Sequence, residues 1–156
     1  MKKTILIFFF ILISTSCVSY NTNRAKKIWL EATEASFERK HDKALLLLQE
    51  ATKTDPEFAP AWMSKGMVYV ALKQNKKAKE CYEEALKIYE KQFEREPDNI
   101  DLIKEYAEVL SLLGDKKGSV RILNRAIKKF PKDKTLPLFK KMILKSSERE
   151  IDRHSR

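Results

Sequence analysis

The fold class this 156-residue sequence predicts is all-α, and three observations predict it. Beyond the first 16 residues the chain is rich in Ala, Leu, Lys and Glu, which favour helices. It holds three glycines, Gly66, Gly114 and Gly118, too few to supply the tight turns of a strand-rich fold. A large residue, a small one four places on and another small one twelve further recur along the chain at helical spacing.

The first element is a leader. Lys2 and Lys3 precede nine apolar residues, Ile5 to Ile13, then Ser14, Thr15, Ser16 and Cys17. That is the layout of an export signal, and the apolar run falls well short of the roughly 20 residues a spanning helix needs. The residues alone allow an ordinary secretory signal cut near Ser16, with Cys17 left as a thiol. A cysteine after small residues also resembles the lipobox of bacterial lipoproteins, although Ser14 stands where such boxes carry an apolar residue and Ile13 lies one place further back. The resemblance implies a signal peptide over 1–16, acylation (palmitate) at Cys17, and a lipid-anchored tether over 17–24. It places the protein in the bacterial cell envelope, with its body in the periplasm or exposed at the surface. The tether from Val18 to Asn23 is expected to be a flexible coil of about 15 Å. Loss of residues 1–16 removes two of 32 basic residues and none of 22 acidic ones, leaving a charge of +8. Cys81 then has no intramolecular partner, so disulfides are not expected to hold the fold.

The repeat follows. Ile28, Ala32 and Ala44 form one set, Trp62, Gly66 and Ala78 the next, Ile103, Ala107 and Ser119 the third. Leu48, Tyr82 and Leu123 continue the columns, as do Ala51, Ala85 and Ala126, and Pro56, Pro97 and Pro131 close the units. The first offset is 34 residues, the period of tetratricopeptide repeats. The chain resembles that family over 25–133, most specifically in Ala61, Trp62, Gly66, Tyr69, Leu72, Ala78, Tyr82 and Ala85. Glu31 and Lys65 depart from it where leucine is usual, and Ile28 and Ala35 replace its Trp and Tyr. The resemblance implies a right-handed superhelix of three antiparallel helix-hairpin repeats, 25–58, 59–99 and 100–133, with a capping helix and basic tail over 134–156.

The columns have a packing reason. Two helices approach closely only where a small residue on one meets a bulky residue on the other. The second offset is 41 residues, so seven extra residues lie between Ala85 and Pro97. Seven residues are nearly two helical turns, and Tyr82, Ala85, Tyr89 and Phe93 carry the buried stripe through them. The spacing therefore predicts one long helix from about Lys76 to Glu94, with Lys87, Lys91 and Arg95 on its projecting end. In the cap, Leu138, Phe139, Met142 and Ile143 are expected to face inward.

Catalytic chemistry has no foothold in the pattern, and an enzyme is not expected. No nucleophile has a recognisable base, His41 and His154 are too distant for a metal site, and Gly114 and Gly118 do not form a phosphate loop. No cofactor, metal, small-molecule substrate or nucleic acid is expected. The resemblance implies a binding surface on the first helix of each hairpin, which here assigns a partner groove to Trp29, Thr33, Met63, Met67, Val70, Lys104 and Glu108. The basic clamp that some family members close on carboxylate-ending tails is missing, its places held by Trp29, Thr33, Ser64, Asp101 and Glu105. The expected partner is an envelope protein or peptide, held by an envelope scaffold. Packing of Trp29, Met63 and Met67 against the tether or a neighbouring helix is the alternative reading of those residues. Residues 128–156 hold ten basic and four acidic residues, which offers peripheral binding to anionic lipid or another polyanion as an alternative function.

Overall fold

The computed structural model describes the backbone of residues 2–154 and the side chains of residues 20–145. Cys17, the proposed lipidation site, and the tail residues Arg149, Arg153 and Arg156 lie outside the described side chains. Seven helices make up the described chain, with no strand among the described residues: α1 (Lys2–Phe37), α2 (His41–Thr54), α3 (Ala59–Ala71), α4 (Asn75–Arg95), α5 (Ile100–Leu112), α6 (Lys116–Lys129) and α7 (Thr135–His154). Among the described residues, no helix is long and apolar enough to cross a membrane.

The chain divides into two compact units, one ending at Cys81 and the other beginning at Tyr82, within α4. In the first unit α1 packs against α2, and both meet α3. Its core contains Ile28, Ala32, Ala35, Ala44, Leu48 and Ala51, the large-and-small columns of the sequence, joined by Ala61 and Val68 of α3. Alanine at those positions lets the α1 and α2 backbones come close while Ile28 and Leu48 fill the space beside them. In the second unit α5, α6 and α7 enclose Ile103, Ala107, Leu123, Ala126, Leu136 and Ile143.

Three helix turns repeat the same backbone. Arg39, Lys73 and Gly114 have φ of 59°, 59° and 89°. Their spacings, 34 and 41, are those of the repeat. In each turn the following amide donates back over five residues: Lys40 to the Ala35 carbonyl, Gln74 to Tyr69 and Asp115 to Leu110. This satisfies carbonyls that the helix end leaves open. Glycine occupies only the third position, so Arg39 and Lys73 hold a left-handed conformation that side chains disfavour. Pro56, Pro97 and Pro131 follow the ends of α2, α4 and α6, where no further helical amide is required. Asn99, Asp115 and Asp133 begin the next helices, their carbonyl or carboxylate oxygens accepting from Leu102, Gly118 and Leu136 amides.

Two expectations are corrected. The stretch Val18–Asn23, expected to be a flexible coil, lies within α1. The Thr22 hydroxyl donates to Asp55 Oδ2 at 2.7 Å, Arg24 faces Glu50 at 3.7 Å, and Ala25 is fully buried, so the packing surface of α1 begins before the first repeat column. In α7 the inward stripe is Leu136, Phe139 and Ile143, whereas Leu138 and Met142 are 68% and 53% exposed. Leu136 sits one helical turn before Phe139, and that phase turns Leu138 and Met142 outward.

Candidate interaction surface

α4 is a single 21-residue helix, unbroken through Leu86–Phe93. Its extended end is docked within the second unit by a reciprocal pair of contacts. Tyr89, 1% exposed, donates its hydroxyl to the Glu105 carboxylate, and Tyr106 reaches Glu90 Oε1 at 3.5 Å. Phe93 lies 5.4 Å from the Tyr106 ring at a tilt of 43°. Both polar pairs span 16 residues, and Tyr89-Glu90 followed by Glu105-Tyr106 is a mirrored dipeptide in the sequence that would have revealed them. The Lys87 and Arg95 side chains are exposed, and Lys87 bonds Glu84 at 2.7 Å.

The α5 surface combines Asp101, Lys104, Glu105 and Glu108. Lys104 is largely covered, with 21% of its side chain exposed, and pairs with Asp101 at 2.9 Å. Burial raises the Glu105 carboxyl above its ordinary range, while the Tyr89 hydrogen bond acts in the opposite sense. Burial alone raises Glu108. Burial, with the Glu105 carboxylate as its neighbour, raises the Tyr89 phenol too. The geometry is that of half-covered carboxylates with a fixed donor, suited to holding a hydrogen-bonding or cationic group. Among the described residues, no group of three or more His, Cys, Asp or Glu is arranged to hold a metal.

In the first unit the predicted groove residues separate. The Trp29 indole donates to Ser64 Oγ at 2.7 Å and meets the Phe58 ring edge-on at 5.8 Å, which ties α1 to α3 and the turn before it. Thr33 donates its hydroxyl to the Trp29 carbonyl at 2.8 Å. Met63 is 6% exposed. Trp29 is thus engaged in the packing of the first unit, and Met63, placed beside it in the expected groove, is buried. Met67 and Val70 stay 43% and 49% exposed on the same helix. On the same helix Trp62 is half-buried, its indole donating to the Pro56 carbonyl at 3.0 Å and Lys65 lying 5.0 Å from its ring centroid.

Sequence comparison agrees with this geometry. Residues 59–98 and residues 81–136 each match a tetratricopeptide repeat profile, together spanning half of the chain. The chain belongs to the tetratricopeptide repeat family. The first tetratricopeptide domain of Spaghetti (RPAP3), solved with the HSP90 peptide SRMEEVD, has a similar fold, with a TM-score of 0.50 at 12% identity over 81% of this chain and 98% of that one. The OM64 tetratricopeptide domain from Arabidopsis gives 0.47 at 17% identity, with the same coverage of 81% and 98%. YrrB, described as a tetratricopeptide repeat protein with an unusual peptide-binding site, gives 0.47 at 25% identity over 89% of this chain and 68% of that one. No curated protein sequence matched. In tetratricopeptide terms, α1 with α2 in the first unit and α5 with α6 in the second are packed hairpins, and α7 packs on the latter.

Proposed function

We propose that this chain is a non-catalytic protein-binding module of the bacterial cell envelope, tethered to a membrane through Cys17. The observation that carries the reading is the two-sided character of α3. It buries Gly66, Val68 and Met63 inside the protein and leaves Met67 and Val70 open. A helix with apolar residues on two sides has two partners, and the second lies outside the chain. Methionine suits such a surface because its unbranched, polarisable side chain adapts to a peptide or helix laid against it. Lys104 and Glu108 on α5 are the polar contacts assigned to the same class of partner, and the peptide held by the Spaghetti repeat domain is a precedent for it.

The test combines crosslinking in intact envelopes with recovery of the tagged chain. Met67→Glu is expected to lose the partner while keeping its helical content, since exposed substitutions usually fall within about ±0.5 kcal/mol. Normal recovery by a folded Met67→Glu protein would remove α3 from the binding surface. Tethering is read separately: labelled palmitate should enter the wild type and not Cys17→Ala. A second reading, contact with anionic lipid, is favoured by Lys134, Lys141 and Lys145, which are exposed and have no ion-pair partner among the described residues. Co-sedimentation with anionic vesicles that collapses at high salt would support it.

A further inference from the structure

The extension of α4 does more than lengthen a helix. Within the second unit Phe93, Ile103, Ile122 and Phe130 line an apolar cavity of about 160 Å³ between the end of α4, α5 and α6. Its rim carries Asp98, Arg125 and Lys129. Lys129 is ion-paired with Asp98, which cancels both charges. Arg125 is exposed and has no partner among the described residues. Past Lys129 and Phe130 the cavity adjoins a shallower depression beside Ile100, Lys132 and Asp133. Asp133 is held by Thr135 and the Leu136 amide, which keep its carboxyl below the ordinary range. Lys132 is exposed and, like Arg125, has no ion-pair partner among the described residues. The result is an apolar slot with Arg125 lining the cavity and Lys132 lining the adjoining depression.

We infer that this slot takes one large apolar side chain of a partner peptide whose neighbouring residues are acidic. The inference rests on the protein-binding reading above and assigns it a second surface with a defined ligand chemistry. Size selects the anchor. Drug-sized ligands and cofactors occupy roughly 300–1,000 Å³, whereas a cavity on the order of 150 Å³ holds a benzene ring. The cavity beside Arg125 therefore seats a single phenylalanine or leucine side chain. Charge selects its flanks, because carboxylates beside the anchor would meet Arg125 and Lys132 with opposite sign. The slot exists because the seven-residue insertion brings Phe93 beyond the point where a 34-residue repeat would already have turned.

The experiment uses the full chain and three fluorescent peptides: Asp-Glu-Phe-Asp-Glu, the same peptide with Ala in place of Phe, and Lys-Lys-Phe-Lys-Lys. The first is expected to bind, the alanine form about tenfold or more weakly, from the apolar area lost. The lysine form is expected not to bind. Arg125→Glu with Lys132→Glu should abolish binding of the acidic peptide, and Arg125→Lys should restore most of it to an Arg125-altered chain. Both sites are exposed, so circular dichroism should show unchanged helix. Met67→Glu should leave peptide binding intact, which separates this slot from the α3 surface. Failure of the acidic peptide to bind, or binding indifferent to Arg125 and Lys132, would overturn the slot. If Met67→Glu still loses its envelope partner, the general reading survives that result. Laurate displacing the peptide at lower concentration than the peptide's own dissociation constant would assign the slot to an acyl carboxylate and overturn the peptide proposal.

Discussion

Replacing Tyr89 with Phe tests how the extended helix is held. The ring, 1% exposed, stays in place, while the hydroxyl that donates to Glu105 is removed. Glu105 then keeps its partial burial without that donor. A hydrogen bond to a charged group contributes about 1.5–3 kcal/mol, and the Glu105 site, only half-covered, should lie near the lower figure. At this chain length each kcal/mol corresponds to roughly 2–4 °C in melting temperature. The pH dependence is more decisive. Burial already raises the folded pKa of Glu105 above its ordinary value of 4.5, so the folded protein binds the proton more tightly than the unfolded chain. That contribution to stability is fully present below pH 4.5 and is lost as pH rises through the folded pKa. Loss of the Tyr89 donor raises the folded pKa further. The cost of Tyr89→Phe, measured by urea unfolding followed by circular dichroism, should thus be largest at pH 7 and shrink as pH falls toward 4.5. In a Glu105→Gln background the same change should cost about 1 kcal/mol and show no such pH dependence. A cost that is equal at both pH values in the wild-type background would refute the assignment of Glu105 as the partner.

Further outcomes follow from the same packing. Met63→Glu, at a position 6% exposed, should destabilise the first unit by several kcal/mol, in contrast with Met67→Glu, and thermal melts of the two variants check this. Lys73→Gly should raise stability by roughly 1 kcal/mol by relieving its φ of 59°, whereas Gly114→Ala should lower it by a similar amount, both read from urea midpoints. Ser119 occupies a small-residue column at 0% exposure, and its hydroxyl has no hydrogen-bond partner among the described residues. Ser119→Ala should be neutral or stabilising by about 1–2 kcal/mol, and a loss of stability would point to a bridging water at that hydroxyl.

Periodicity by itself determined the helices and the pairing of α1 with α2 and of α5 with α6. Ile28 with Ala44, and Ile103 with Ala107 and Ser119, recur because close helix packing admits only certain sizes at certain intervals, and that constraint is written directly into residue order. The length of α4 was legible for the same reason, since seven residues nearly preserve helical phase. Which apolar residues stay open was not legible. Met63 and Met67 lie four apart on one stripe, yet α3 buries the first and exposes the second. Trp29 likewise belongs to packing only because Ser64 and Phe58, about thirty residues away, supply a hydroxyl and a ring edge at contact distance. The partnership of Tyr89 with Glu105 and the outward turn of Leu138 are decisions of the same kind. Helical phase is a local property that each segment carries alone. Exposure and hydrogen-bond pairing depend on where separate segments end beside one another, and only the tertiary structure sets that.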